Sequence, residues 1–167
     1  MDVTSMPKTN LPSLSGIIAD FPQFTFAEHE VFHWSPKDNT IYYEADEITK
    51  AAGIYQLFHE IGHALSNHTG FSSGVQLVKI ESQAWKKAQE LATDYGLTID
   101  PDRIEHCLDS YRDWLHLRST CPHCQAVSIE IKSNQYHCFS CMQKWSVPAD
   151  QRSRHYRLKK TRPLSIA

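Results

Sequence analysis

The hydrophobic and polar positions of this chain change period several times, and each change marks an element. Phe24-Thr25-Phe26 and Val31-Phe32-His33-Trp34 are rich in β-formers. Ser35-Pro36-Lys37-Asp38-Asn39 is a turn by composition, and Thr40-Ile41-Tyr42-Tyr43-Glu44 is a further strand. At about 100° per residue, Ile54, Leu57, Phe58, Ile61 and Leu65 fall in one stripe, which predicts an amphipathic helix with Asp46 as a candidate cap ahead of it. Residues 74–95 carry a second stripe: Leu77/Val78, position 81, Ala84/Trp85, Ala88, Leu91/Ala92 and Tyr95. A third helix is predicted from 101 to about 118. Asp100-Pro101-Asp102 gives it a cap, a proline at its first position and acid in its first turn, and Ile104, Cys107, Leu108, Tyr111 and Leu115 form its stripe. On that stripe Cys107 reads as a small buried hydrophobe. The period then drops to two over residues 126–132, Ser133-Asn134 turns, and Gln135-Tyr136-His137 returns.

The pattern predicts an α+β protein. Residues 1–20 read as extended or poorly ordered. Residues 21–119 make one domain, a short antiparallel sheet plus three helices. Residues 120–148 form a small β module, and 149–167 a tail.

The first helix carries the chemistry. Residues 59–63 read His59-Glu60-Ile61-Gly62-His63. Side chains at i and i+4 share a helix face, so His59 and His63 can hold one metal ion, and Glu60 then stands beside its open position, where it can deprotonate a bound water. Both histidines fall opposite the apolar stripe, whereas His68 falls with it and is a poor ligand candidate. His29 and His33 have no ligand spacing. A catalytic zinc usually takes a third protein ligand. Glu81 is the best candidate, because it interrupts an apolar stripe where a carboxylate is costly unless it is paired or binds metal. The short Gly/Ser-rich loop 69–74 lets the second helix fold back toward the histidines.

An H-E-x-x-H helix followed by a helix carrying Glu81-Ser82-Gln83-Ala84-Trp85 resembles the gluzincins, and more narrowly the ImmA/IrrE-like metallopeptidases. The resemblance covers about residues 25–95. It implies a compact zincin fold, a zinc-dependent peptidase held by His59, His63 and Glu81 with Glu60 as general base, and a protein substrate, in several members a DNA-bound regulator. By the same resemblance a Tyr or His stabilises the oxyanion, with Tyr95, His106, Tyr111 and His116 as candidates, and a strand pairs with extended substrate, so that Tyr42, Tyr43 and Glu44 either line the cleft or are core and hairpin residues. Proteases of the SprT type also join such a motif to a zinc ribbon, but their third ligand is usually His.

A second metal signal follows. Cys121-Pro122-His123-Cys124 and Cys138-Phe139-Ser140-Cys141 form two C-x2-C knuckles separated by residues 125–137, the spacing of a structural zinc ribbon. Four thiolates close the coordination sphere, so Cys121, Cys124, Cys138 and Cys141 are structural or recognitive ligands; His123 and His137 are not needed. Two Zn²⁺ are therefore expected, one catalytic and one structural. The chain starts without a basic-then-apolar leader and has no apolar run of transmembrane length, so a reducing, cytoplasmic setting is expected for these thiols.

Net charge is −2, yet the charges are segregated. Arg152, Arg154, Arg157, Lys159, Lys160 and Arg162 crowd into the tail, leaving eleven basic against 19 acidic residues in 1–150. A ribbon beside a basic arm makes nucleic acid a candidate partner. The rival to the peptidase is a non-enzymatic regulatory or nucleic-acid-binding protein on the same scaffold.

Overall fold

The computed structural model describes residues 11–148, and all of its elements, contacts and side-chain clusters lie within them. The class is α+β, with four α-helices and two three-stranded sheets. The elements run α1 (Leu14–Asp20), β1 (Thr25–Glu28), β2 (His33–Ser35), β3 (Thr40–Tyr43), a short 3-10 turn (Glu47–Thr49), α2 (Ala51–Leu65), α3 (Gly74–Asp94), α4 (Pro101–Ser119), β4 (Ile129–Lys132), β5 (Gln135–His137) and β6 (Lys144–Ser146). None of the helices is long and apolar enough to cross a membrane.

The chain folds as two compact units. Residues 11–69 and 80–100 make one; residues 70–79 and 101–148 make the other. The boundary expected at residue 120 therefore falls elsewhere: α4 belongs with the ribbon. Hydrogen bonds explain the assignment. Glu130 Oε2 accepts the Gly74 amide at 2.8 Å. Arg118 donates to Pro148 O at 2.9 Å and to Asn134 Oδ1, while Trp145 Nε1 donates to Arg118 O at 3.2 Å. A thirty-residue ribbon has little core of its own, so it borrows the end of α4 and the start of α3.

In the first unit the sheet order is β1-β3-β2, with β1 parallel to β3 and β2 antiparallel to it. The sheet is thus mixed, not antiparallel. Asn39 joins its halves. At φ 54 it ends the turn before β3, its carbonyl accepts the Thr25 amide at 3.0 Å, and its side-chain amide donates to Gln23 O at 2.7 Å. The turn residue thereby fixes β1 alongside β3.

Two further expectations change. The first 20 residues are not extended throughout, because α1 occupies Leu14–Asp20. Ser13 Oγ accepts the Gly16 amide as an N-cap, and Ile17 is fully buried. Asp46 does not cap α2: it precedes the 3-10 turn and makes no side-chain cap bond, and the N-cap of α2 is Lys50. Helices α3 and α4 end within a residue of the expected 74–95 and 101–118, α2 starts later than a cap at Asp46 would set it, and Cys107 is half-buried on α4.

The first core gathers Ile17 from α1 and Phe21 just past it, Trp34 and Ile41 from the sheet, Ile54, Leu57, Phe58 and Ile61 from α2, and Ile80, Ala84, Trp85 and Ala88 from α3. At about 1.5–3 kcal/mol for each large buried side chain, this burial is the main stabilising term. Helix α2 is buried all round from Leu57 to Ala64, polar side chains included. It meets α3 closely: a Cβ on Gly62 would lie 2.6 Å from the backbone oxygen of Ala84.

That contact yields a prediction. Alanine is a better helix former than glycine by about 1 kcal/mol. Backbone cannot yield as a side-chain tip can, so overpacking of about 1–3 kcal/mol should outweigh the gain. Gly62→Ala is expected to lower the urea midpoint, and a stabilised variant would show that the helices do not meet there.

Candidate metal centres

Helix α2 places His59 and His63 one turn apart, and α3 brings Glu81 against them. Nε2 of His59, Nε2 of His63 and Oε2 of Glu81 form a triangle with sides of 3.1, 3.2 and 3.5 Å. Zinc held at about 2.0–2.1 Å in a tetrahedron spaces its ligands by about 3.3 Å, so the donor set fits that ion in size and chemistry. All three side chains are at most 1% exposed. Burial pushes the His59 pKa below its ordinary value, against the pull of Glu81, which keeps a lone pair on the ring. The His59 ring lies against the Trp85 indole, with centroids 4.4 Å apart.

Glu60 is also buried, at 5% exposure, and is hydrogen-bonded to an edge strand and to its own helix. Its Oε2 accepts the Trp34 amide at 2.8 Å and its Oε1 accepts the Gln56 side-chain amide at 3.2 Å. Strand β2 is an edge of its sheet, and Trp34 pairs in register with Ile41. The Trp34 amide that reaches Glu60 therefore points away from β3, so the open edge of β2 faces the carboxylate.

The expected substrate strand is displaced by this topology. Residues 40–43 form the central strand, flanked on both sides, so β3 has no free edge for an added chain. Tyr42 stacks on His33 at 4.4 Å, and its hydroxyl donates to Asp38 Oδ2 at 2.9 Å. Tyr43 is half-buried beside it, opposite Glu28. Glu44 lies past the strand, in an open groove with Glu28, His29, Glu30 and Asp46.

The oxyanion candidates separate too. Tyr95 stacks on Phe58 and donates its hydroxyl to Asp20; burial, then Asp20, raises its pKa and keeps that proton in place. His106, Tyr111 and His116 are on α4 in the other unit, Tyr111 buried in its core and both histidines exposed. The basic residues Arg152 to Arg162 lie outside the described residues.

Sequence reasoning missed His68. Helical phase set it in the apolar stripe, but α2 ends at Leu65 and Asn67 turns left-handed at φ 53. The Asn67 amide donates to Ala64 O at 3.0 Å and the His68 amide to His63 O at 3.1 Å, the paired bonds of a Schellman cap. The chain reverses and His68 returns to the site, its Nδ1 3.0 Å from Nδ1 of His63. An Asn just past the last apolar position is the signal that marks this stop.

In the second unit, Cys121, Cys124, Cys138 and Cys141 place their sulfurs within 4.8 Å of one another. The Cys121–Cys141 and Cys124–Cys138 separations are 3.6 and 3.5 Å, far too long for disulfides and near the roughly 3.8 Å spacing of thiolates around tetrahedral zinc. The two knuckles repeat one geometry. Cys121 N donates to Ala126 O and Cys138 N to Gln143 O, and the residue after each second cysteine, Gln125 or Met142, is left-handed at φ 61 or 64. Hydrogen bonding from Ser128 and then from the Cys141 amide lowers the Cys138 thiol to about 5. The Gln143 amide favours a Cys141 thiolate, but burial and the neighbouring sulfurs push that thiol up to about 12. Four adjacent thiols cannot all ionise unaided, whereas a divalent cation removes that opposition. His123 is exposed, and His137 packs on Phe139.

Two groups of residues can therefore hold metal ions, and the set is consistent with zinc at each. Glu81→Ala is expected to take the metal content of the purified chain from near two to near one, leaving the cysteine site filled. Two metals retained would rule out Glu81 as a ligand.

No protein-family model, curated protein or solved structure matches the chain, so its function has to be argued from the chemistry of these two centres.

Proposed function

We propose that the chain is a zinc-dependent peptidase of the gluzincin type, similar to the ImmA/IrrE-like metallopeptidases. One observation carries the reading: two histidines from α2 and a carboxylate from α3 converge in a buried triangle of zinc dimensions, with a second carboxylate, Glu60, on the turn between the histidines. Nothing in packing alone favours two carboxylates and two imidazoles in an apolar interior. Each buried ion costs several kcal/mol unless it is compensated.

His59, His63 and Glu81 hold the metal in this reading. A zinc ion there supplies Lewis acidity, polarising a scissile carbonyl and making water acidic enough to attack near neutral pH. Glu60 accepts the proton of the attacking water and hands it to the departing amine. The Trp34 and Gln56 hydrogen bonds hold its two oxygens in a fixed plane. The open edge of β2, and not β3, is the strand that takes an extended substrate by backbone pairing, since its free face already meets Glu60.

The ribbon serves recognition. Val127, Ile129, Ile131, Phe139 and Met142 are large apolar side chains between 49% and 68% exposed, an arrangement that suits a binding module. The protein target, a DNA-bound regulator among the candidates, is selected by this module in the proposed scheme, with the basic tail adding affinity for nucleic acid. The same surface also favours the rival, a regulatory or nucleic-acid-binding protein without peptidase activity.

Glu60→Gln separates the two readings. The variant is expected to keep both metals and to lose about 10²–10⁴-fold in the rate of peptide-bond cleavage, followed by mass spectrometry on a denatured protein mixture. Wild-type cleavage by the variant rules out the mechanism, and cleavage absent from both proteins favours the non-enzymatic reading.

A further inference from the structure

We propose that His68, together with Gln83, is the positioning residue that sets the tautomer and ring orientation of His63, and so the affinity of the His59/His63/Glu81 centre for metal. The inference rests on the metal-holding role given to that centre.

His68 Nε2 lies 3.2 Å from Gln83 Oε1, and a carbonyl oxygen only accepts. The proton between them is therefore on His68 Nε2. A neutral His68 then has a bare Nδ1, and that atom lies 3.0 Å from Nδ1 of His63. The proton in this second contact has to come from His63 Nδ1. That leaves the lone pair of His63 on Nε2, the atom that faces His59 Nε2 and Glu81 Oε2. One amide carbonyl on α3 thus dictates, through two rings, which nitrogen of His63 is available to metal.

The relay is held in place by backbone. The Schellman cap at the end of α2 fixes where residue 68 begins, and the Trp34 indole donates to His68 O at 3.0 Å. His63 and His68 meet edge to face, with centroids 5.0 Å apart, which holds the rings at the angle the hydrogen bond needs. The other ligand is oriented differently. His59 Nδ1 is buried with no hydrogen-bond partner among the described residues, and the Trp85 ring holds that side chain instead. His63 is the ligand ring whose orientation rests on a hydrogen-bonded chain. A hydrogen-bonding partner of this kind fixes the ligand tautomer and raises its basicity, and its loss typically costs about 10–100-fold in metal affinity.

The test uses the full-length chain and cobalt(II), titrated against a competing chelator. Thiolate-bound cobalt shows a charge-transfer absorption that histidine- and carboxylate-bound cobalt lacks, so the two centres read out separately. His68→Leu is expected to weaken the histidine centre about 10–100-fold and leave the thiolate centre unchanged. His68→Asn, whose Oδ1 can accept from His63 Nδ1 where the ring nitrogen did, is expected to stay within about threefold of the wild type. Wild-type affinity in His68→Leu overturns the proposal, and so does His68→Asn as weak as His68→Leu, because packing alone would then be at issue. Should His68→Leu not fold by circular dichroism, Gln83→Leu decides: Gln83 is exposed, and a loss of about threefold or more supports the relay, while unchanged affinity overturns it. A wild-type chain that takes cobalt only at the thiolate centre overturns the metal reading itself, and the role of His68 falls with it.

Discussion

A carboxylate buried in the middle of an apolar helix face is the constraint on which the first unit depends. Glu81 has no exposed surface, and its neighbours along α3 are Ile80, Ala84 and Trp85. An isolated ion in such a place would cost several kcal/mol, comparable to the whole stability of a small domain. The cost is tolerable only where compensating groups are delivered at the same level, and α2 delivers two imidazoles there. Close delivery needs close backbones, which is why a glycine faces Ala84 on α2 and why alanines recur on α3. The packing of the two helices and the chemistry of the cluster are thus one requirement.

The same constraint explains the polar side of α2. A helix with an apolar stripe and histidines opposite normally faces solvent with its polar half. Here that half turns inward, toward a second interior made of His59, Glu60, His63, Glu81 and His68, with the edge of β2 beside it. Three of its polar residues are tied to an element by hydrogen bonds: Glu60 to a strand amide, His63 through its neighbour to α3, and the His68 carbonyl to an indole. The cluster is therefore anchored to β2 and α3 and bordered by one free strand edge.

What was legible in the sequence was local or chemically specific. Helices α2, α3 and α4 could be read because caps, proline position and a 3.6-residue stripe act within a few residues of one another. His59, His63 and Glu81 could be read because metal chemistry demands particular residues at particular spacing. The sheet order could not, because the parallel pairing of β1 with β3 is decided by Asn39 reaching across to Gln23 and Thr25, a contact between segments that no period links. Helix α1 was hidden by its seven-residue length, too short for a stripe. His68 was lost because helical phase was carried past the Asn67 stop. The left-handed positions after each cysteine knuckle are Gln125 and Met142, residues that give no glycine signal.

The ribbon carries this lesson furthest, because there the alternation was read correctly yet does not say which face is inside. Ile129 and Ile131 are the apolar members of β4, and both are exposed; Glu130 between them is the residue turned inward, paired with the buried Tyr136. In an ordinary strand the apolar face would win by about 1.5–3 kcal/mol per side chain. Two circumstances reverse the choice. The interior of the module is made of Cys121, Cys138 and Tyr136, so sulfur and the ion it can bind stand where an aliphatic core would. Glu130 also satisfies two amides at once, Gly74 N at 2.8 Å and Asn134 N at 2.7 Å. The first is an N–H at the start of α3 and the second closes the turn into β5, and a half-buried amide left without an acceptor costs about 1–3 kcal/mol. The register of this hairpin is set by the donors that need an acceptor, and the isoleucines are left facing outward as its consequence.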